Sequence, residues 1–309
     1  MSDVIRLSNS ELQTFKDCRR KWWLAYYRRL QPRYRDMTGA LAFGSRIHAA
    51  LDAHYAQGVP LIQAHAELVE TDRQALLAEF YDTNKLEQEA EMGRIMLEGY
   101  EQWVSENGID AELEMISTEE TIIAPLFNGD VELQGKLDMR VRRKADGVRM
   151  FRDFKTVGGS LSDFANLAPM NEQVMTYMLL EATKIDEKER SEGGIFTMLK
   201  KVKRTANARP PFYDQIEVRH NIFTMRSFWN RIHGTIADLM NVRKGLDEGG
   251  DPSYLAYPRP TNDCKWKCQF FAICPMFDDG SAAEQALGDA YEVADPYAYY
   301  ESNEKKGGE

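Results

Sequence analysis

The chain holds only four cysteines, and their placement asks its two ends to meet. Cys18 stands alone near the start. Cys264, Cys268 and Cys274 crowd into eleven residues near the other terminus. The opening Met-Ser-Asp-Val-Ile-Arg lacks the apolar stretch of a secretory leader. The expected compartment is therefore the reducing cytoplasm, where thiols serve as metal ligands more readily than as disulfides. Four thiols suit one structural Zn²⁺ or one iron-sulfur cluster, and such a site would staple the terminal segments together. Trp266, Phe270 and Phe271 lie among the clustered ligands and would shield a cluster from water. The bland alternative is four unrelated buried thiols.

A net charge of −10 argues against nucleic acid only if the charge is spread evenly. It is not. Residues 277–309 hold nine Asp/Glu against two Lys, and residues 1–45 hold nine Lys/Arg against four Asp/Glu. Lys200, Lys201, Lys203, Arg204 and Arg209 form a second basic stretch. Both patches could contact phosphates, and each alone reads equally well as a solvated face. No apolar run approaches the roughly 20 residues that span a membrane.

Along the chain, the first segment is helical. Ser8 and Glu11 have capping-box spacing. Leu12, Phe15, Cys18, Trp22, Trp23 and Tyr26 form an apolar stripe opposite Lys16, Arg19, Arg20 and Lys21. The stripe reads as core first and as a base-stacking surface second. A second helix starts near His48 behind the small-residue turn Gly39–Gly44 and ends near Gly58. Residues 61–108 read as a helical lobe of their own. Residues 112–124, 131–143 and 148–154 alternate like strands, with Asn128-Gly129-Asp130 and Ala145-Asp146-Gly147 as turns. A helix at 171–184, strands at 194–199 and 213–218, and a long helix over about 220–245 follow. Residues 277–309 are expected to be disordered.

Within the strands lies the chemistry. Asp153 and Lys155 occupy alternate positions and share a face. Asp138, on the neighbouring strand, can join them. Two converging carboxylates repel unless a cation sits between them. Mg²⁺ or Mn²⁺ accepts such oxygen ligands and keeps positions for water and phosphate, and a lysine beside the ion can orient the attacking water. Gln173 and Tyr177 are four apart on one helical face just downstream. A bare Asp-x-Lys is usually an ordinary charge pair. His48 alone is usually a helix-start histidine with a backbone partner. His54 and His65 read as surface or packing residues, and Glu119 and Glu120 as weak metal-ligand candidates.

The ordered set Cys18, Gly44-x-x-x-His48, Gly135-x-x-Asp138, Asp153-Phe154-Lys155, Gln173-x-x-x-Tyr177 and Cys264/Cys268/Cys274 resembles the PD-(D/E)XK nuclease superfamily. It is most similar to the RecB-like branch with an iron-sulfur cluster, which includes AddB nuclease domains and CRISPR-associated adaptation exonucleases. The likeness runs from residue 8 to 275. Leu137 stands where the family name has proline, and the Cys264–Cys268 gap is three residues where two is frequent.

The resemblance implies an α/β (α+β) fold: a restriction-endonuclease-like core with a central mixed sheet flanked by helices, an added helical lobe and a four-cysteine cluster joining the terminal segments. The expected segments are 1–60, 61–108 (lobe), 109–245 (nuclease core), 246–276 (cluster segment) and 277–309 (tail). It implies a divalent metal held by His48, Asp138, Asp153 and the Phe154 carbonyl, with Lys155 as the catalytic lysine beside Asp138 and Asp153. Gln173 and Tyr177 would brace the site and touch DNA. Arg19, Arg20, Lys200, Lys201, Lys203 and Arg204 would hold the strand. Together with the one-plus-three cysteine spacing it favours a [4Fe-4S] cluster over Zn²⁺. The implied activity is a metal-dependent DNA exonuclease acting on single strands or duplex ends, in recombination, repair or phage DNA metabolism, with a recombination or helicase protein as partner. The readings from other classes are a non-cleaving DNA-binding accessory protein and a zinc-stabilised interaction protein.

Overall fold

The computed structural model of the protein describes residues 4–34 and 37–301. In chain order its helices and strands are β1 (Ile5–Ser8), α1 (Asn9–Asp17), α2 (Arg19–Trp22), β2 (Leu30–Pro32), α3 (Ala40–Gln57), α4 (Leu61–Ala78), α5 (Asn84–Asn107), β3 (Leu113–Leu126), β4 (Val131–Arg143), β5 (Arg149–Val157), α6 (Leu161–Leu167) and α7 (Glu172–Lys184). There follow β6 (Gly193–Lys200), β7 (Tyr213–Arg219), α8 (Ile222–Asp247), α9 (Pro252–Leu255), α10 (Cys264–Lys267), α11 (Ala283–Ala290), β8 (Tyr291–Val293) and α12 (Ala298–Glu301). This is the mixed sheet with flanking helices that the motifs imply. No helix among the described residues is long and apolar enough to cross a membrane. The chain divides into two compact units, one of residues 36–122 and 136–221, the other of residues 1–35, 123–135 and 222–309.

The unit of residues 36–122 and 136–221 carries the sheet chemistry. β4 pairs antiparallel with β5, β5 pairs parallel with β6, and β6 pairs antiparallel with β7. The parallel step needs a crossover, and α6 and α7 supply it. On the other side, α3 presents Phe43, Ile47, Ala50 and Leu51 at helical spacing. They pack with Met96, Leu97 and Tyr100 of α5 and with Met139, Phe154 and Leu199 of the strands. Burying each large side chain here stabilises by about 1.5–3 kcal/mol. So the helices expected to form their own lobe over 61–108 share the core of the sheet. A hydrophobic face of that size has no better place to go.

The other unit gathers the two ends of the chain. β1 pairs parallel with Val131–Gln134. β2 pairs antiparallel with β8, Leu30 opposite Val293. Trp22 and Leu24 are fully buried and Trp23 nearly so, so the N-terminal aromatic stripe is core. The helix expected to run through it breaks at Cys18, whose φ of −162° is extended. The expectation of a disordered tail is corrected over the described part: α11, β8 and α12 are formed, and Phe270 stacks on Tyr291. Acidic side chains there have partners. Arg28 pairs with Glu284 at 2.8 Å and Arg20 with Asp278 at 2.6 Å. Residues 302–309 of that tail lie outside the described residues.

Candidate active site

The site begins where the β4–β5 ladder ends. Its last pair is Met139 opposite Arg152. Beyond it, the Phe154 N–H donates to Asp138 Oδ2 at 3.0 Å. A residue in an extended strand points its N–H and C=O the same way, so Phe154 turns its carbonyl toward Asp138 as well. Phe151, Asp153 and Lys155 share the opposite face of β5 from Arg152 and Phe154. Arg152 is spent behind the site on Asp110 at 2.7 Å, Tyr100 at 3.0 Å and Thr197 at 3.1 Å.

Lys155 is fixed from two sides. Its Nζ lies 2.7 Å from Asp153 Oδ2 and donates to Gln173 Oε1 at 2.8 Å. The Gln173 amide donates in turn to Asp153 Oδ1 and to the Tyr177 hydroxyl, each at 2.8 Å. Tyr177 closes the chain by donating to the Lys136 carbonyl. The local sequence arranges this. Asn171 caps α7 by accepting from Gln173 N at 2.8 Å, which puts Gln173 in the first turn and Tyr177 one turn on. Val174, Met175, Leu179 and Leu180 bury the helix.

His48 arrives from α3. Gly44 is what lets α3 approach β5: a Cβ there would stand 3.3 Å from Thr156 Oγ1. His48 Nδ1 lies 3.2 Å from Asp138 Oδ2. Burial alone would lower the His48 pKa, but Asp138, with Asp153 behind it, raises it. Burial raises the Asp138 carboxyl, yet His48, Lys155 and the Phe154 amide outweigh it and hold it below its ordinary range. Asp153 goes the other way. Buried, and facing the Asp138 charge, it is pushed up to about 6 even with Lys155 beside it.

The structure thus brings His48, Asp138, Asp153, Lys155, Gln173 and Tyr177 together. Among the described residues no three His, Cys, Asp or Glu side chains stand in metal-ligating geometry. Each carboxylate already faces a basic side chain of the protein, Asp138 the imidazole and Asp153 the ammonium. The donor chemistry nonetheless fits a hard divalent ion: two carboxylates, a carbonyl and an imidazole. Asp153 Oδ2 is buried without a well-directed hydrogen bond, although Lys155 Nζ lies 2.7 Å away. Such an atom has room for one more electrophile.

Glu119 and Glu120 are occupied differently. Glu119 pairs with Lys136, and Glu120 with Arg140 at 3.1 Å. Lys136 and Arg140 flank Asp138 on its own strand face, so the glutamates neutralise its neighbours. Sequence reading missed these partners because nothing local links residues 119 and 136. Of the other histidines, His54 contacts the Val59 carbonyl at 2.9 Å and His65 is buried, its pKa lowered to about 4 by burial and the Arg46 charge.

The basic residues expected at DNA divide. Arg20 is a correction: it is 3 % exposed, holds Asp278 through both nitrogens and donates to the Cys274 carbonyl. Arg19 lies over the Phe15 and Tyr257 rings. Lys201 sits 4.0 Å over the Phe43 ring, and Arg204 lies 3.8 Å over Phe212 while donating to the Tyr213 hydroxyl. Lys203 is exposed and Lys200 half-buried.

The four cysteines are all unpaired by disulfide and half-buried. Burial pushes the Cys268 and Cys274 thiols up; Cys268 also feels Cys18 and Cys274, and Cys274 feels Cys18 and Asp278. Those three share a neighbourhood. Cys264 faces Thr261, whose N–H donates to its sulfur at 3.3 Å, and Arg259 N–H donates to Cys18 Sγ at 3.5 Å. Backbone donors to sulfur suit thiolate ligands. An all-thiol donor set fits zinc and iron-sulfur alike, and no three of the sulfurs stand in ligating geometry.

The chain matches the family described as the PD-(D/E)XK nuclease superfamily over residues 6–275. No curated protein matches it. Among solved structures, a provisionally named exonuclease of Eubacterium rectale is 11% identical, with a TM-score of 0.48, over 78% of this chain and 82% of its own. The protein SSO0001 is 16% identical, with a TM-score of 0.33, over 75% and 84%. Neither likeness is close enough to add to the family match.

Proposed function

We infer that this chain, which belongs to the PD-(D/E)XK nuclease superfamily, hydrolyses phosphodiester bonds of DNA with the help of a divalent metal ion. We assign it to the RecB-like, AddB-like branch and take exonucleolysis of single strands or duplex ends as its reaction. The observation that carries the reading is the hydrogen-bonded set Asp153–Lys155–Gln173–Tyr177 beside Asp138 and His48.

His48, Asp138, Asp153 and the Phe154 carbonyl would hold Mg²⁺ or Mn²⁺. When bound, the ion supplies a Lewis acid for the phosphate and an activated water. Lys155 is positioned by Gln173 to orient that water and to stabilise charge growing on the phosphate oxygens. Lys155 would compete for Asp153, whose carboxyl is raised to about 6 by burial, with a divalent ion held there, and the Lys155 ammonium would be left for the substrate. Tyr177 fixes the Gln173 amide and with it the spacing of Asp153 and Lys155. Cys18, Cys264, Cys268 and Cys274 would carry a [4Fe-4S] cluster of structural role, with Zn²⁺ as the alternative. DNA, and a recombination or helicase protein, are the proposed partners.

The test is cleavage of end-labelled single- and double-stranded DNA in Mn²⁺ by wild type and Lys155→Ala. Cleavage by the first and none by the second is expected. Equal cleavage by both removes the assignment, and DNA binding without cleavage by wild type selects the accessory-protein reading. Elemental analysis for iron against zinc decides the cysteine site.

A further inference from the structure

α8 buries Phe228, Ile232, Ile236 and Leu239 on one side. The neighbouring stripe is apolar too, and it is uncovered. Ile222 is 67% exposed, Phe223 75% and Trp229 38%. Helical spacing puts Ile222, Arg226, Trp229 and His233 on this stripe, with Phe223 and Asn230 beside it. Arg226 and Asn230 are exposed. From Ile222 to Ala237 the helix holds Arg226 and Arg231 and no acid. The one acid on the facing turn is Asp130, which is exposed.

The rings pack closely but tilted, Trp229 and His233 at an interplanar angle of 51°. Trp229 lies 4.1 Å from His233, centroid to centroid, and Phe127 lies 4.5 Å from the same ring at an interplanar angle of 32°. His233 Nε2 is buried without a hydrogen-bond partner. The imidazole therefore serves there as a ring packed between two others. Phe127 reaches it at a cost. It has φ +50°, followed by Asn128 at +57° and Gly129 at +97°. A left-handed backbone is ordinary for the last two and strained for a phenylalanine. The fold accepts that strain, of order 1 kcal/mol, to hold a ring that is only half-buried.

We propose that the face Phe223–Arg226–Trp229 of α8, backed by His233 and Phe127, is a stacking platform for unpaired bases of single-stranded nucleic acid. Every base has a π-face, so exposed rings bind single strands without regard to sequence. Arg226 in the middle supplies the charge for a phosphate between stacked bases. The absence of acids from the stripe favours a polyanion over a basic or neutral protein surface. Duplex DNA hides the base faces and gains nothing from the rings. The proposal rests on the nuclease reading for its substrate class and narrows it to single strands.

The experiment measures anisotropy of a fluorescein-labelled oligothymidylate in EDTA, so that binding is read without cleavage. Phe223→Ala/Trp229→Ala is expected to weaken binding roughly tenfold to a hundredfold, with duplex binding unchanged. Trp229→Phe, which keeps a ring, retains most of the affinity. Arg226→Ala is expected to reduce the slope of log affinity against log salt by about 0.7. Phe127→Gly relieves the turn, so its melting temperature holds or rises while single-strand binding falls. The double variant changes exposed side chains, and its melting temperature checks that it is folded.

If wild type cleaves DNA and the folded double variant binds the oligonucleotide as tightly as wild type, the platform is wrong and the nuclease reading stands. If wild type neither binds nor cleaves any DNA, both fall. If light scattering shows a wild-type dimer that the double variant breaks, with oligonucleotide binding unmoved, the stripe is an interface between copies and the platform is overturned.

Discussion

The two candidate metal sites differ in what holds them together. At the sheet, each acid faces a basic side chain of the protein: Asp138 has His48 and Asp153 has Lys155. Gln173 and Tyr177 brace the pair by hydrogen bonds. That site needs no metal in order to fold. At the cysteines, Cys18 lies near Cys268 and Cys274, and burial disfavours ionisation of the Cys268 and Cys274 thiols. Arg20 is a buried cation that contacts them, through the Cys274 carbonyl, and it is shared with Asp278. Thiols placed so gain most when a metal takes their protons. In the proposed reading, a metal at the sheet would therefore serve chemistry and a metal at the cysteines would serve the fold.

The largest effect that would break this contrast is chelation. Stripping metal from the purified protein, or changing Cys18 to Ala, is expected to unfold the cysteine-bearing segments. Free energies of structural thiolate sites start at about 10 kcal/mol, comparable to a domain's whole stability margin. Proteolysis followed by mass spectrometry would show cuts in residues 246–276 while residues 136–221 stay protected. Equal protection with and without metal would erase the distinction. Next in size is Lys155→Ala. Loss of a charge-stabilising donor costs about 10²- to 10³-fold in turnover, with DNA binding and melting temperature close to wild type. A large drop in melting temperature instead would make the lysine a structural cation.

Legibility follows the same line. The sheet site could be read because its residues lie on regular elements with short-range rules: alternate positions on β5 for Asp153 and Lys155, one turn of α7 for Gln173 and Tyr177. The α3 to α5 helices were visible from their apolar spacing, but not that they share the core of the sheet, since amphipathic faces do not name their partners. In the unit of the two ends, contacts such as Arg20–Asp278 and Leu30–Val293 join residues more than 240 apart. Arg20 looked like surface because Asp278 is nowhere near it in sequence. β2 and β8 are three residues each, one of them containing Pro32, and carry no strand signal. The break at Cys18 is invisible in an apolar stripe that keeps helical period on both sides. Lys201 and Arg204 read as a charged loop because their ring partners, Phe43 and Phe212, become neighbours only in the fold.

A third, smaller effect probes the unit of the two ends without touching its thiols. Glu11 is 1 % exposed, accepts from Trp22 Nε1 at 2.9 Å and is bonded by the Tyr297 hydroxyl. Burial pushes its pKa from 4.5 up to about 7 against those hydrogen bonds. The folded state therefore holds this proton more tightly than the unfolded chain. Its stabilisation is complete below pH 4.5 and is lost as pH rises through 7, about 3 kcal/mol in all. Glu11→Gln keeps an acceptor for Trp22 and does not titrate. Urea midpoints at pH 5 and pH 8 should fall between the two for wild type and converge for the variant. Parallel falls would mean that other groups carry the pH dependence.

The smallest expected effect sharpens the sheet side of the contrast. Gln173 touches no reacting atom in the proposed scheme, yet it joins Asp153, Lys155 and Tyr177 in one chain of hydrogen bonds. Gln173→Ala leaves Tyr177 with its carbonyl partner and Lys155 with Asp153, so the unit stays folded. What changes is freedom: Lys155 loses one of its two tethers, and the Asp153 carboxyl can turn. Losing such an outer partner costs about 10- to 100-fold in metal affinity or activity. Because a metal competes with Lys155 for Asp153, the loss should appear as a higher Mn²⁺ concentration for half-maximal cleavage, with the rate at saturating Mn²⁺ lowered less. Gln173→Glu puts a third acid beside the pair and should instead tighten Mn²⁺ binding. If both variants lose saturating rate equally with no change in Mn²⁺ dependence, Gln173 contacts the substrate rather than the acids, and its place moves from bracing the site to holding the strand.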